Sequence, residues 1–117
     1  MLETGKKPTS MPPHFNASIR AIAHPVRRKI LQWLKEPALH FPHQEYGHKL
    51  GICVGQITRR CGLSPSTVSQ HVALLREAAL VDGYKTGNSH FLKRNETRIQ
   101  HLNTALNDVL ENQTLKG

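Results

Sequence analysis

The sequence predicts a mainly α-helical domain with a small β-hairpin, and three observations predict it. Two helical patterns are separated only by the short turn Gly62-Leu63-Ser64. Two strand-like runs then flank Gly87-Asn88, a pair suited to a hairpin turn. A last helical pattern carries Ile99, Leu102, Leu106, Val109 and Leu110 on one stripe. A helix pair joined by a tight turn and followed by a hairpin is a winged helix-turn-helix arrangement, here expected to dimerise through its terminal helices.

Each element has a local reason. Residues 1–14 hold Pro8, Pro12 and Pro13 and read as a flexible tail. Asn16 is placed to cap a helix beginning at Ala17. His24-Pro25 interrupts it, because proline disfavours helical geometry in the preceding residue and suits the first turn of a new helix. Val26, Ile30, Leu31 and Leu34 recur at helical spacing until Glu36-Pro37. Residues 37–51, with two Pro and two Gly, read as a long loop containing about one helical turn. A short helix is expected over Val54–Cys61, ended by Gly62. Ser64 caps the next, with Pro65 at its first position and Val68, Val72 and Leu75 as a narrow apolar seam. This second helix is expected to reach Ala79, and the strands are expected at Leu80–Thr86 and Ser89–Arg94. Asn95 caps a final helix over Glu96–Asn112. The chain therefore divides into a tail (1–14), one domain (15–112) and a short tail (113–117). Within the domain, 54–79 form the helix-turn-helix, 80–94 the wing and 96–112 the dimerisation helix.

Composition narrows the function. The 117 residues suit one domain. No apolar run approaches the roughly 20 residues of a membrane span, and the N-terminal residues contain no apolar stretch of a secretory signal. Two cysteines do not make a disulfide framework, and a reduced, cytoplasmic setting is expected. The net charge is +8, from 16 Lys and Arg against 8 Asp and Glu, which points to a polyanionic partner. The charge is unevenly placed: +4 on residues 15–36, +4 on 52–98 and −1 on 99–117. The last helix is excluded from the basic surface. Its apolar stripe must cover the core or pair with a second copy, and a two-fold pair would present two recognition helices to adjacent major grooves.

The second helix of the pair has a solvent face of Ser66, Thr67, Ser69, Gln70 and Ala73. Short polar side chains near a helix N-terminus permit close approach to base edges, and Gln pairs with adenine. Arg59 and Arg60 precede it, and Lys85, Asn88, His90, Lys93 and Arg94 lie on the hairpin or at its base. A basic hairpin in that position can follow a phosphate backbone or enter a minor groove. No paired carboxylates, nucleophile–base order or glycine-rich phosphate loop points to an enzyme.

The run AIAHPVRRKILQWL at 21–34 resembles the first-helix signature of the ArsR/SmtB family of bacterial winged-helix repressors. GQITRRCGLSPSTVSQHVALLREAALV at 55–81 is similar to that family's helix-turn-helix, and the resemblance runs from about Ala17 to Leu110. It implies a homodimeric repressor that binds a palindromic operator in double-stranded DNA and is released by an inducer or by thiol modification. By position, Ser66, Thr67, Ser69, Gln70 and His71 match the DNA-facing helix. Ala79 stands where the family usually has a helix-ending Gly, which suggests that Gly83 supplies the freedom for the turn into the wing.

The family's metal sites are incomplete here. The thiolate pair would fall on Cys53-Val54-Gly55, lacking its second sulfur, and the last helix offers only His101, with Arg98 three residues before it. His40, His43, Glu45, His48 and Cys53 form a separate candidate set for zinc or nickel around the loop. Cys53 is also the redox candidate, lying just before a helix N-terminus, where thiol pKa values fall. Cys61 reads as a small core residue. On an intact helix it would lie about 12 Å from Cys53, beyond disulfide reach. The alternative functions are a winged-helix protein-interaction module without sequence-specific DNA binding and a small metal-binding protein.

Overall fold

The computed structural model describes residues 14–42 and 51–111. In chain order they form α1 (Phe15–Ile22), α2 (Pro25–Lys35), α3 (Pro37–His40), β1 (Ile52–Cys53), α4 (Val54–Cys61), α5 (Pro65–Glu77), β2 (Val81–Thr86), β3 (Ser89–Arg94) and α6 (Glu96–Leu110). The strands make an antiparallel sheet in the order β1-β3-β2. The β2–β3 hairpin runs in register from Val81↔Arg94 to Thr86↔Ser89. Ile30, Ile52, Ile57, Val68, Leu75, Leu80 and Leu92 are buried almost completely, so one core joins helices and sheet.

The helix starts follow their caps. His24 accepts from the amide of Val26 through Nδ1, Ser64 accepts from Thr67, and Asn95 accepts from Arg98. The first helix is a correction: it begins at Phe15, two residues earlier than expected, and Asn16 lies inside it. Its preceding residue, His14, provides no side-chain cap. Packing of Phe15 against the core sets that start. The tail residues 1–13 and 113–117 lie outside the described residues, as does most of the 37–51 loop.

The third strand was not expected. Ile52 and Cys53 pair with Leu92 and Phe91. Two residues carry no readable period, and only the edge of β3 makes them a strand. Gly51 permits the pairing: at φ +105° it sits so close that a Cβ would lie 2.3 Å from the Leu92 carbonyl oxygen.

The turn from α5 into the wing corrects a second expectation. Ala79 itself takes the left-handed conformation (φ 62°), and Gly83 is not among the positive-φ residues. The helix ends at Glu77, and a Schellman arrangement closes it. Leu80 N–H donates to the Leu75 carbonyl at 3.0 Å, and Ala79 N–H to that of Arg76 at 2.9 Å. Leu75 and Leu80, the apolar pair of that motif, are both fully buried. Their burial holds Ala79 in a conformation that costs an L-residue about 1–2 kcal/mol. Ala79→Gly is therefore expected to stabilise the protein by about 0.5–1 kcal/mol, after the entropic penalty of glycine in the unfolded chain, as a raised midpoint in chemical denaturation.

Candidate nucleic-acid interface

The site is built on α4 and α5. Gly62 ends α4 in a left-handed conformation, its amide reaching the carbonyls of Thr58 and Arg59. Ser64 then opens α5: it accepts from the Thr67 amide at 3.2 Å and donates to Thr67 Oγ1 at 2.9 Å. Val68, Val72 and Leu75 face the core. That packing turns the opposite side of the helix outward. Ser66, Ser69, Gln70 and Ala73 are all exposed and fall at i, i+3, i+4 and i+7, one continuous stripe. Thr67 is half-buried, its hydroxyl engaged with the cap.

The hairpin stands beside this stripe. Lys85, Asn88 and His90 are exposed on it. Between α5 and the hairpin lies an open groove of about 460 Å³, lined by Ser69 and Arg76 on one side and Lys85 and His90 on the other. The Arg76 guanidinium lies directly over Gly83, where a Cβ would come within 2.9 Å of it. No carboxylate among the described residues lies within salt-bridge distance of Arg76. Arg94 has a different role. It donates to the Leu31 carbonyl at 3.1 Å and pairs with Glu96 through two N–H groups at 2.9 and 3.0 Å, so it ties the base of the wing to α2 and α6.

Two residues assigned to the interface from sequence are drawn elsewhere. Arg60 lies 4.9 Å above the Trp33 ring and 5.8 Å from Phe41, and reaches His40. It fastens α3 to the helical base although, like Arg59 beside it, it is exposed. His71 is half-buried on the inward side of α5. Its ring lies 4.5 Å from His24, and its Nδ1 is 2.9 Å from Nη1 of Arg27. Arginine only donates, so Nδ1 carries the lone pair and the ring is neutral there. Burial, then the charges of His24 and Arg27, push the His71 pKa below its ordinary value.

Arg27 is a position behind the interface that the sequence does not single out. It is 8% exposed. Its guanidinium donates to the carbonyls of Ala21 (2.8 Å) and Arg20 (3.1 Å) at the end of α1, as well as meeting His71. The sequence shows only a cation off the apolar stripe.

Cys53 sits at the N-cap of α4, half-buried, opposite Phe91 of the wing. Cys61 is half-buried against the core, and burial raises its thiol pKa. Of the metal candidates, His43, Glu45 and His48 lie outside the described residues, and His40 is engaged by Arg60. Among the described residues no group of three His, Cys, Asp or Glu is placed to hold a metal ion. No described helix is long and apolar enough to cross a membrane.

A helix-turn-helix that exposes a short-side-chain stripe beside a basic hairpin defines the winged-helix class of transcriptional regulators. The model of a helix-turn-helix domain family, HTH_20, matches residues 22–84. The uncharacterised HTH-type transcriptional regulator YbzH of Bacillus subtilis (strain 168) is 39% identical over 85 residues, 71% of this chain and 85% of that protein. A crystal structure of an ArsR family transcriptional regulator superposes with a TM-score of 0.66 at 14% identity, covering 82% of this chain and 86% of that one. Reduced HlyU of Vibrio cholerae N16961 superposes with a TM-score of 0.56 at 26% identity, over 86% and 90% of the two chains. The chain belongs to this helix-turn-helix family and is a transcriptional regulator with the ArsR-type winged-helix fold.

The Arg60 contact is directly testable, because Trp33 is the sole tryptophan. Arg60→Ala is expected to cost about 0.5–1 kcal/mol and to shift Trp33 emission to the red as water reaches the ring, read by fluorescence and denaturation.

Proposed function

We propose that the protein is a homodimeric repressor that binds a palindromic operator in double-stranded DNA and is released by an inducer or by modification of a thiol. One observation carries the reading: α5 turns an unbroken stripe of Ser66, Ser69, Gln70 and Ala73 to solvent beside the basic hairpin. Ser66, Ser69 and Gln70 read base edges in the major groove, Gln70 by pairing with adenine. Thr67 supports the helix start through the cap. Arg59, Lys85, Asn88 and His90 contact phosphates or the minor groove and set register.

Dimerisation uses α1 and α6. Leu102 and Ala105 are buried, while Ile99 and Leu106 are half-buried against the core. Val109 is 53% exposed and Leu110 76%. An apolar stripe left open at the end of a nearly neutral helix suits a second copy of the same chain, whose two-fold axis would set the half-site spacing. Cys53 is the sensor candidate. It joins β1 to α4 and faces the wing strand, so a bulky or charged adduct there would disturb both halves of the interface.

The tests separate these parts. Gln70→Ala and Ser69→Ala are each expected to weaken binding to a duplex from the chain's own upstream region by about tenfold and relax its specificity, consistent with roughly 1–3 kcal/mol per base contact. Unchanged affinity in both variants would sink the base-reading assignment. Lys85→Ala is expected to weaken binding to all sequences alike and reduce the salt slope by about one. Val109→Glu together with Leu110→Glu is expected to give a monomer by sedimentation; a persisting dimer would place the interface elsewhere. A thiol alkylator is expected to release the duplex from the wild type and not from Cys53→Ser.

A further inference from the structure

We propose that Arg27 and His71 form a proton-released latch on the recognition helix: while His71 is neutral its Nδ1 holds α5 against α1 and α2, and protonation breaks that hold and weakens DNA binding. The proposal rests on the DNA-binding reading above and names a regulation of that same site.

The geometry is specific. Arg27 is buried and permanently charged, and it donates to two neutral carbonyls on α1 and to one group on α5, the His71 ring. The contact to α5 is therefore one hydrogen bond, and it needs a lone pair on Nδ1. A proton on the ring puts an N–H against an N–H at 2.9 Å and sets one cation against another. The surroundings offer no relief. On α2 the facing titratable or charged groups are His24, 4.5 Å away, and Arg27. From α1 the contribution is the Arg20 and Ala21 carbonyls, already taken by Arg27. On α5 itself, no carboxylate of the described residues forms an ion pair with the ring. Burial, then the electrostatic effects of His24 and of the Arg27 guanidinium, already favour the neutral imidazole.

The consequence reaches the interface because His71 follows Gln70 in the same helical turn. Loss of the inward anchor lets α5 move relative to α1 and α2, and Ser66, Ser69 and Gln70 move with it. Arg27 and His71 are thus positioning residues. The sign is diagnostic. A histidine that touches phosphate, such as His90 on the wing, would bind DNA more tightly when protonated. The latch does the opposite.

The experiment is a titration of a fluorescent duplex from the upstream region at fixed ionic strength, from about pH 7.5 to about pH 5.5. Wild-type affinity is expected to fall on acidification, by at most about tenfold per pH unit for each subunit's single proton. In His71→Asn the amide oxygen keeps an acceptor near the Nδ1 position and does not titrate, so affinity is expected not to fall on acidification, and to rise where protonated His90 meets phosphate. Constant or rising wild-type affinity, or the same fall in His71→Asn, overturns the latch. NMR titration of the His71 ring in the wild type, without DNA, covers the case in which the variant fails to fold. The ring is expected to titrate below the ordinary value of 6.5. Because the unfolded chain then binds protons first, stability is expected to be full above 6.5 and to fall as pH drops from there toward the folded-state value. Titration at or above 6.5 overturns the latch even if DNA binds. Absence of duplex binding at neutral pH instead counts against the DNA reading, and the ring titration then decides the Arg27–His71 contact alone.

Discussion

Arg27 is taken into the protein with no carboxylate among the described residues to meet it, and the orientation of three helices depends on how that charge is satisfied. The end of α1 supplies most of the answer. The last carbonyls of a helix lack intrahelical donors and carry the negative end of its dipole. Arg27 bonds those of Arg20 and Ala21, and Arg28 bonds that of Ile22 at 2.7 Å. Two adjacent arginines at the start of α2 thus finish α1, and the His24-Pro25 break brings them there. The remaining nitrogen, Nη1, turns to α5, where His71 Nδ1 accepts from it. A buried charge that loses one such partner is far more costly than an exposed one, so α1, α2 and the recognition helix are held as a unit.

The wing is fixed by different means. Leu75 and Leu80 close the end of α5 by burial, and that closure forces Ala79 into its left-handed turn. β1 pairs with β3 on the far side of the hairpin, and Arg94 fastens its base to α2 and α6. Cations thereby divide into two populations. Arg27 and Arg94 are drawn into the protein as hydrogen-bond donors, and Arg60, though exposed, lies over the Trp33 and Phe41 rings. Arg59, Lys85 and Lys93 remain at the surface. The formal +8 overstates what reaches a polyanion.

What the sequence by itself determined is everything that is settled within a turn or two of chain. Ser64, Asn95 and Gly62 act on backbone groups a few residues away, so the bounds of α4, the start of α5 and the start of α6 were legible. So were the hairpin and the seam of Val68, Val72 and Leu75, because their periods are local. The outward stripe of Ser66, Ser69 and Gln70 follows from that seam. Only the tertiary structure decided the rest. Ile52 and Cys53 become a strand because β3 offers an edge, and Ala79 bears the strained turn because the core buries the leucines on either side of it, Leu75 and Leu80. His71 and Arg60 carry the same polar appearance in sequence as their exposed neighbours. Their directions are set by a buried arginine 44 residues away in one case and by Trp33 and Phe41 in the other. A local pattern says that a side chain is polar; whether it faces a ligand or holds the scaffold depends on partners that only folding brings within reach.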